Sequence, residues 1–159
     1  MPNWCCNKIF IEGNYENLRS ISDVLNFYLS EESSDCEIGI FEKLLGVNPK
    51  IIYDDYDDEL MSNIQYWGTK WDVFELDEYK VNCSDNFIDI EIDTANSPPI
   101  EFCKKLSKKY NVSINIVFYE LGLEFAGECV INDLGEEIGY TPYKDINEAI
   151  CCFDSNFWD

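Results

Sequence analysis

Two tryptophans and a lysine lie close together in residues 66–72, which read YWGTKWD. An indole ring offers a large flat apolar surface with one N–H donor, and a lysine ammonium offers a positive charge. One hypothesis is therefore a pocket for a planar or anionic ligand, formed by Trp67, Lys70 and Trp71. Its polar contacts would come from Asn3, Asn7 and Glu120.

The same segment has a structural interpretation, which we favour. Glycine adopts backbone conformations that other residues avoid, so Gly68 predicts a sharp corner. Trp67 and Trp71 can each bury a large surface, and we expect Trp71 to pack near Trp4. In this interpretation the segment closes an insertion back onto a sheet. A third interpretation makes the aromatic side chains a hot spot for a protein partner.

Acidic side chains form two further candidate sites. The first is the run YDDYDDE at residues 53–59, and the second is the alternating segment FIDIEID at residues 87–93. Alternate residues of a strand point to the same face, about 6.6 Å apart, so the second set would present regularly spaced negative charges as a nucleic-acid backbone does. The predicted partner-binding acids are Asp54, Asp55, Asp57, Asp58, Glu59, Asp89, Glu91 and Asp93.

The charge balance restricts the class of partner. The chain has 32 acidic and 11 basic residues among 159, which gives a net charge of −21. Such a field repels nucleic acid and anionic membranes and attracts basic protein surfaces. We therefore expect a basic protein partner, and neither direct nucleic-acid binding nor membrane binding.

The sequence lacks the residue patterns that several kinds of catalytic and metal-binding site require. The chain has no histidine, and its eight cysteines include no C-x-x-C pair, so neither a zinc site nor a cysteine–histidine nucleophile is indicated. The acidic run lacks the residue order of an EF-hand, and no glycine-rich phosphate loop is present. Carboxylates are abundant, but no pair stands out as a general acid and base. We predict no catalytic residue, no metal site and no cofactor.

Hydrophobic periodicity and turn residues indicate the elements that must position these side chains. Strands are predicted at residues 4–12, 73–81, 87–93, 112–120 and 123–131. Helices are predicted at residues 15–29, 38–45, 97–110 and 145–152. This order predicts an α+β fold with a ferredoxin-like βαββαβ antiparallel sheet and helices on one face.

We expect one domain over residues 1–159, with an acidic insertion at about 31–70 and a short C-terminal extension at about 133–159. The sequence contains neither a stretch long enough to cross a bilayer nor a secretory signal. A cytoplasmic location in the host cell is therefore expected, with mostly buried and reduced thiols.

Four motifs resemble those of the YubB-type ferredoxin-like proteins. They are residues 2–7 (PNWCCN), 63–72 (NIQYWGTKWD), 93–99 (DTANSPP) and 119–127 (YELGLEFAG). Members of that family occur on plasmids and phages and have no assigned function. The resemblance implies the fold and an origin in a mobile element, and it implies no reaction.

Charge and resemblance together lead to a functional hypothesis. We expect a non-enzymatic acidic binding protein of a phage or mobile element, which blocks the basic nucleic-acid-binding groove of a host defence protein. A CRISPR effector nuclease is one such target, and the inhibitor would act by nucleic-acid mimicry. The alternative is a small-ligand-binding or regulatory domain that uses the corner formed by Trp67 and Trp71.

Overall fold

The computed structural model describes residues 2–52 and 59–154. Within these ranges the strands are β1 Trp4–Glu12, β2 Val81–Cys83, β3 Phe87–Ala95, β4 Ser113–Glu120, β5 Phe125–Ile131 and β6 Glu137–Pro142. The α-helices are α1 Tyr15–Leu29, α2 Ile40–Leu45, α3 Pro49–Ile52, α4 Glu59–Trp67, α5 Ile100–Tyr110 and α6 Ile146–Asp154. None of the helices in the described residues is long and apolar enough to cross a membrane.

The strands form a six-stranded antiparallel sheet in the order β2-β3-β1-β4-β5-β6. The first four strands, with α1 after β1 and α5 after β3, make the βαββαβ unit of a ferredoxin-like fold, which confirms the predicted architecture. β5 and β6 extend this unit beyond β4.

The core lies between α1 and α5 on one side and the central strands on the other. In β1 the side chains of Cys5, Ile9 and Ile11 point into it, because alternate residues of a strand share a face. The predicted apolar stripe of α1 is buried there too. It consists of Leu18, Ile21, Leu25 and Tyr28.

The C-terminal extension covers part of the opposite face. Ala149 and Cys152 of α6 form a second, smaller apolar cluster with Val117 of β4 and Ala126 of β5. The sheet therefore carries helices on both faces at this point, in addition to the pair that the sequence predicts on one face.

The predicted strand at residues 73–81 is present only as β2, Val81–Cys83. The preceding segment serves α2 instead, since the carbonyl of Val73 accepts the N–H of Ile40 at 2.7 Å. Asp77 then caps a short 3-10 turn, Glu78–Lys80, by accepting the N–H of Tyr79 at 3.0 Å. Because Val73 bonds to α2 and residues 78–80 form a turn, pairing with β3 begins only at Val81.

One carboxylate fixes the insertion at the N-terminus of α2. Asp72 accepts the N–H groups of Phe41 at 2.7 Å and Glu42 at 3.0 Å, and also that of Val73 at 2.7 Å. The N–H groups of Phe41 and Glu42 are donors that the first turn of a helix cannot pair internally. A Cβ at Gly39 would overlap the Asp72 carboxyl, so glycine makes this approach possible.

Lysines of α5 hold the C-terminal ends of the inserted helices. Lys109 Nζ donates to the Leu44 carbonyl at 2.8 Å, and the Tyr110 hydroxyl donates to the same oxygen at 2.7 Å. Lys105 Nζ donates to the Tyr66 carbonyl at 2.8 Å. Cations at these positions favour the negative ends of α2 and α4. These lysines of α5 thus contribute to the fold.

The buried position of Asp72 generates the first prediction. Burial raises the pKa of Asp72 from 3.8 to about 6, although its N–H donors oppose the shift. As the pH rises between these two values, the unfolded chain loses the Asp72 proton while the folded chain retains it. The contribution of Asp72 to the free energy of unfolding therefore falls over this window, by about 1–3 kcal/mol. Asp72→Asn removes this dependence, because the amide does not titrate.

Urea denaturation of the native chain and of Asp72→Asn, at several pH values across the window, measures the effect. The difference between the two free energies of unfolding, native minus variant, should decrease as the pH rises. A difference that is constant or increases with pH would contradict the assignment of the shift to Asp72.

Candidate functional site

The heptapeptide at residues 66–72 forms a corner between the insertion and the sheet. Gly68 has a φ of +86°, and an added Cβ would lie 3.2 Å from the Pro98 carbonyl oxygen at the start of α5. Ser97 Oγ donates to the Gly68 carbonyl at 2.6 Å, and Thr69 Oγ1 donates to the Ala95 carbonyl at 2.9 Å. The predicted structural corner is therefore present, and it is bonded to the last residue of β3 and to Ser97 just beyond it.

Trp67 belongs to the core. Its side chain is 3 % exposed and packs edge to face on Phe41, with ring centroids 5.8 Å apart. The indole Nε1 of Trp67 is buried and has no hydrogen-bond partner among the residues that the structure describes. A ligand could stack on this ring only if the helices around it moved apart.

The other residues of the small-ligand hypothesis are divided between two places. Glu120 is buried at the end of β4, where its carboxylate accepts the N–H groups of Gly122 at 2.5 Å and Leu123 at 2.7 Å. It thereby closes the turn between β4 and β5. Lys70 and Trp71 line a surface depression instead. The structure thus brings Lys70 and Trp71 together, and it gives Trp67 and Glu120 positions inside the fold.

The predicted acidic ladder lies on β3, and a lysine of the neighbouring strand contacts it. Lys8 Nζ lies 3.6 Å from Asp89 Oδ2 and 3.6 Å from Glu91 Oε1. These two acidic side chains are only 18 % and 22 % exposed. Burial raises the pKa of Asp89, and the ammonium of Lys8 opposes the rise. Asp93, at the end of the ladder, is exposed and carries its charge to solvent.

The other predicted acidic cluster falls mostly outside the described residues. These positions are Asp54, Asp55, Asp57 and Asp58. Glu59 is described, and it is the exposed first residue of α4.

An open groove beside the corner is a site that sequence reasoning did not assemble. Trp4 and Trp71 meet edge to face with ring centroids 6.2 Å apart, as the predicted packing of Trp71 near Trp4 requires. They remain 52 % and 42 % exposed and, with Phe74, line a groove of about 550 Å³. The groove is also lined by five acidic residues, Asp72, Glu75, Asp77, Glu91 and Asp93.

The groove combines aromatic surface with negative charge, which is the arrangement that binds organic cations. Glu75 and Asp93 are exposed, and within the described ranges no lysine or arginine forms an ion pair with either of them. Lys80 is the one basic residue among those described that line the groove. The predicted contact of Trp71 with Trp4 was the one sign of this groove in the sequence. The acidic residues around it come from separate segments, so their proximity could not be predicted.

The thiols show no sign of activation. All eight cysteines are free, and burial raises the pKa values of Cys5 and Cys103. A protonated, buried thiol is a poor nucleophile. Among residues 2–52 and 59–154, no group of three or more cysteine, aspartate or glutamate side chains is arranged to hold a metal ion.

Comparison with known proteins supplies the family. The model of the ferredoxin-like domain in Api92-like protein matches residues 70–150. This chain belongs to the Api92-like family. Among solved structures, it is similar to the crystal structure of protein api92 from Yersinia pseudotuberculosis, with a TM-score of 0.53 and 9 % sequence identity. That similarity covers 90 % of this chain and 98 % of the api92 chain, and it extends the shared fold beyond the matched segment.

A search of curated proteins finds no match. The Api92-like assignment therefore establishes fold and family, and the groove must be interpreted from its own residues.

The different environments of Trp67 and Trp71 generate the second prediction. Trp67→Ala should lower the free energy of unfolding by about 3–5 kcal/mol, because it leaves a cavity in the core. Trp67→Phe should cost less, because it removes an indole N–H that has no acceptor. Trp71→Ala should cost clearly less than Trp67→Ala, because its ring is half exposed. Urea denaturation measures all three values, and equal losses for Trp71→Ala and Trp67→Ala would make Trp71 a core residue instead of a groove residue.

Proposed function

We propose that this protein is a non-enzymatic acidic binding protein that occupies a basic, nucleic-acid-binding surface of another protein. The observation that carries the proposal is the internal use of the lysines. Lys8, Lys104, Lys105 and Lys109 each bond to acidic or carbonyl groups of their own chain. Four of the eleven basic residues are thus engaged within the chain, and the chain as a whole keeps a net charge of −21.

The contact surface in this proposal is the groove formed by Trp4, Trp71 and Phe74, with its acidic rim. The ladder on β3 supports it less, since the single charge of Lys8, 3.6 Å from both Asp89 and Glu91, offsets part of the charge of two of the three predicted acids. Asp93 connects the two surfaces, because it ends the ladder and also lines the groove. Apolar area in the centre and charge at the rim are the usual arrangement of a protein interface.

A nuclease of a host defence system, such as a CRISPR effector, is the partner we propose to test first. Its nucleic-acid groove is basic and would be blocked by an acidic protein. The resemblance to YubB-type proteins of plasmids and phages supports this choice, because a mobile element gains from inhibiting such an enzyme. The action would be in the cytoplasm of the host.

The small-ligand alternative has less support. Three of its six residues, Asn7, Trp67 and Glu120, are buried and have structural contacts within the chain. Catalysis also has little support, since burial raises the pKa values of thiols such as Cys5 and Cys103 and so makes them poor nucleophiles.

Competition with DNA tests the proposed function. Purified protein should displace labelled duplex DNA from a basic defence nuclease and inhibit cleavage. The concentration needed for half-inhibition should rise at least about tenfold between low and high salt, because screening weakens the contact between opposite charges. Failure to displace DNA at low salt, or inhibition that is independent of salt, would contradict the proposal.

A matched pair of variants separates the groove from the net charge. Glu75→Lys with Asp93→Lys reverses two charges in the groove, whereas Asp85→Lys with Asp133→Lys reverses two exposed charges at the opposite end of β1. Both variants change the net charge equally. Only the groove variant should lose most of the inhibition. Equal losses in both variants would mean that net charge alone causes the inhibition.

A further inference from the structure

We propose that the groove binds an arginine side chain of its partner and prefers arginine to lysine. This inference rests on the proposed function and names the chemical group that the partner must present. Its occupant is a basic segment of a protein, with a guanidinium placed against Trp71 and Trp4.

The aromatic part of the groove supplies the first argument. Trp4 and Trp71 contact each other edge to face, and both keep about half of their surface exposed. Indole is the side chain that attracts cations most strongly. A guanidinium is planar and weakly hydrated, so it stacks on such a surface at little cost in desolvation. A lysine ammonium is compact and strongly hydrated, and it gains less there.

The carboxylates supply the second argument. Glu91 already has Lys8 at 3.6 Å, and Asp77 accepts the N–H of Tyr79 at 3.0 Å. Glu75 and Asp93 are exposed on the same groove, and no ion pair within the described residues engages them. A carboxylate can accept two parallel N–H bonds from a guanidinium, which a lysine cannot offer. Glu75 and Asp93 are therefore the acids that we assign to the arginine.

Lys80 supplies the third argument, because its positive charge should weaken the binding of a cationic ligand. It lines the groove together with these acids and is exposed. Its ammonium repels an incoming cation and attracts the carboxylates that the cation needs. Removing this charge should strengthen binding, an effect that damage to the fold cannot imitate.

Isothermal titration calorimetry with two synthetic peptides tests the inference. The peptides have the same length and the same spacers, and they carry either arginines or lysines. The native chain should bind the arginine peptide about five- to tenfold more tightly than the lysine peptide. Trp71→Ala should remove this preference. Tyr15→Ala should keep it, since Tyr15 is also an exposed aromatic residue but lies at the opposite end of β1.

Lys80→Gln should tighten binding of the arginine peptide about two- to threefold. This gain supports the site even if Trp71→Ala proves unstable. Equal affinity of the native chain for both peptides would overturn the arginine inference and leave the proposed function standing. A preference that survives Trp71→Ala, or weaker binding by Lys80→Gln, would also overturn it. Binding of neither peptide, combined with no displacement of DNA from the nuclease, would reject the inference and the proposed function together.

Discussion

The carboxylate of Asp72 is the contact on which the arrangement of the groove depends. It joins the start of α2 to the segment that leads into the sheet, through N–H groups of Phe41, Glu42 and Val73. Burial makes its ionised form unfavourable, so the carboxyl group stabilises the fold mainly as a hydrogen-bond acceptor. Without it, three backbone donors would be left unpaired. With Asp72 held here, Trp71 is placed against Trp4 at the surface.

The distribution of charge depends on which basic residues bond within the chain. Basic residues are few, and the fold places several of them where a carbonyl or carboxylate needs a partner, as Lys105 does for Tyr66 and Lys8 does for Asp89. Each lysine used inside the chain leaves one fewer to neutralise the surface. Glu75 and Asp93 have no ion pair within the described residues, and they lie on the same groove as the exposed indoles of Trp4 and Trp71. Charge and apolar surface are combined at that place, which is what a basic protein partner requires.

The sequence was informative wherever local pattern decides structure. The strand at residues 4–12, the helix at residues 15–29 and the corner at Gly68 are all present, because alternation, helical periodicity and glycine chemistry are local. Residues 73–81 have the composition of a strand, but Val73 bonds to α2, which is a tertiary contact, and Asp77 caps a short turn before the ladder starts. Lys8 carried a usable signal, since a lysine inside an apolar strand needs acidic neighbours across the sheet. Only the strand order reveals that those neighbours are the acids of the ladder.

The direct measurement of where a partner binds is the response of the tryptophan indole N–H signals in a two-dimensional NMR spectrum. An arginine-rich peptide should shift the indole signals of Trp4 and Trp71, which are exposed on the groove, and leave that of the buried Trp67 unchanged. Backbone amides of the groove should shift with them. If the peptide instead moved only signals along the ladder of β3, with both exposed indoles unaffected, the groove would not be the binding surface.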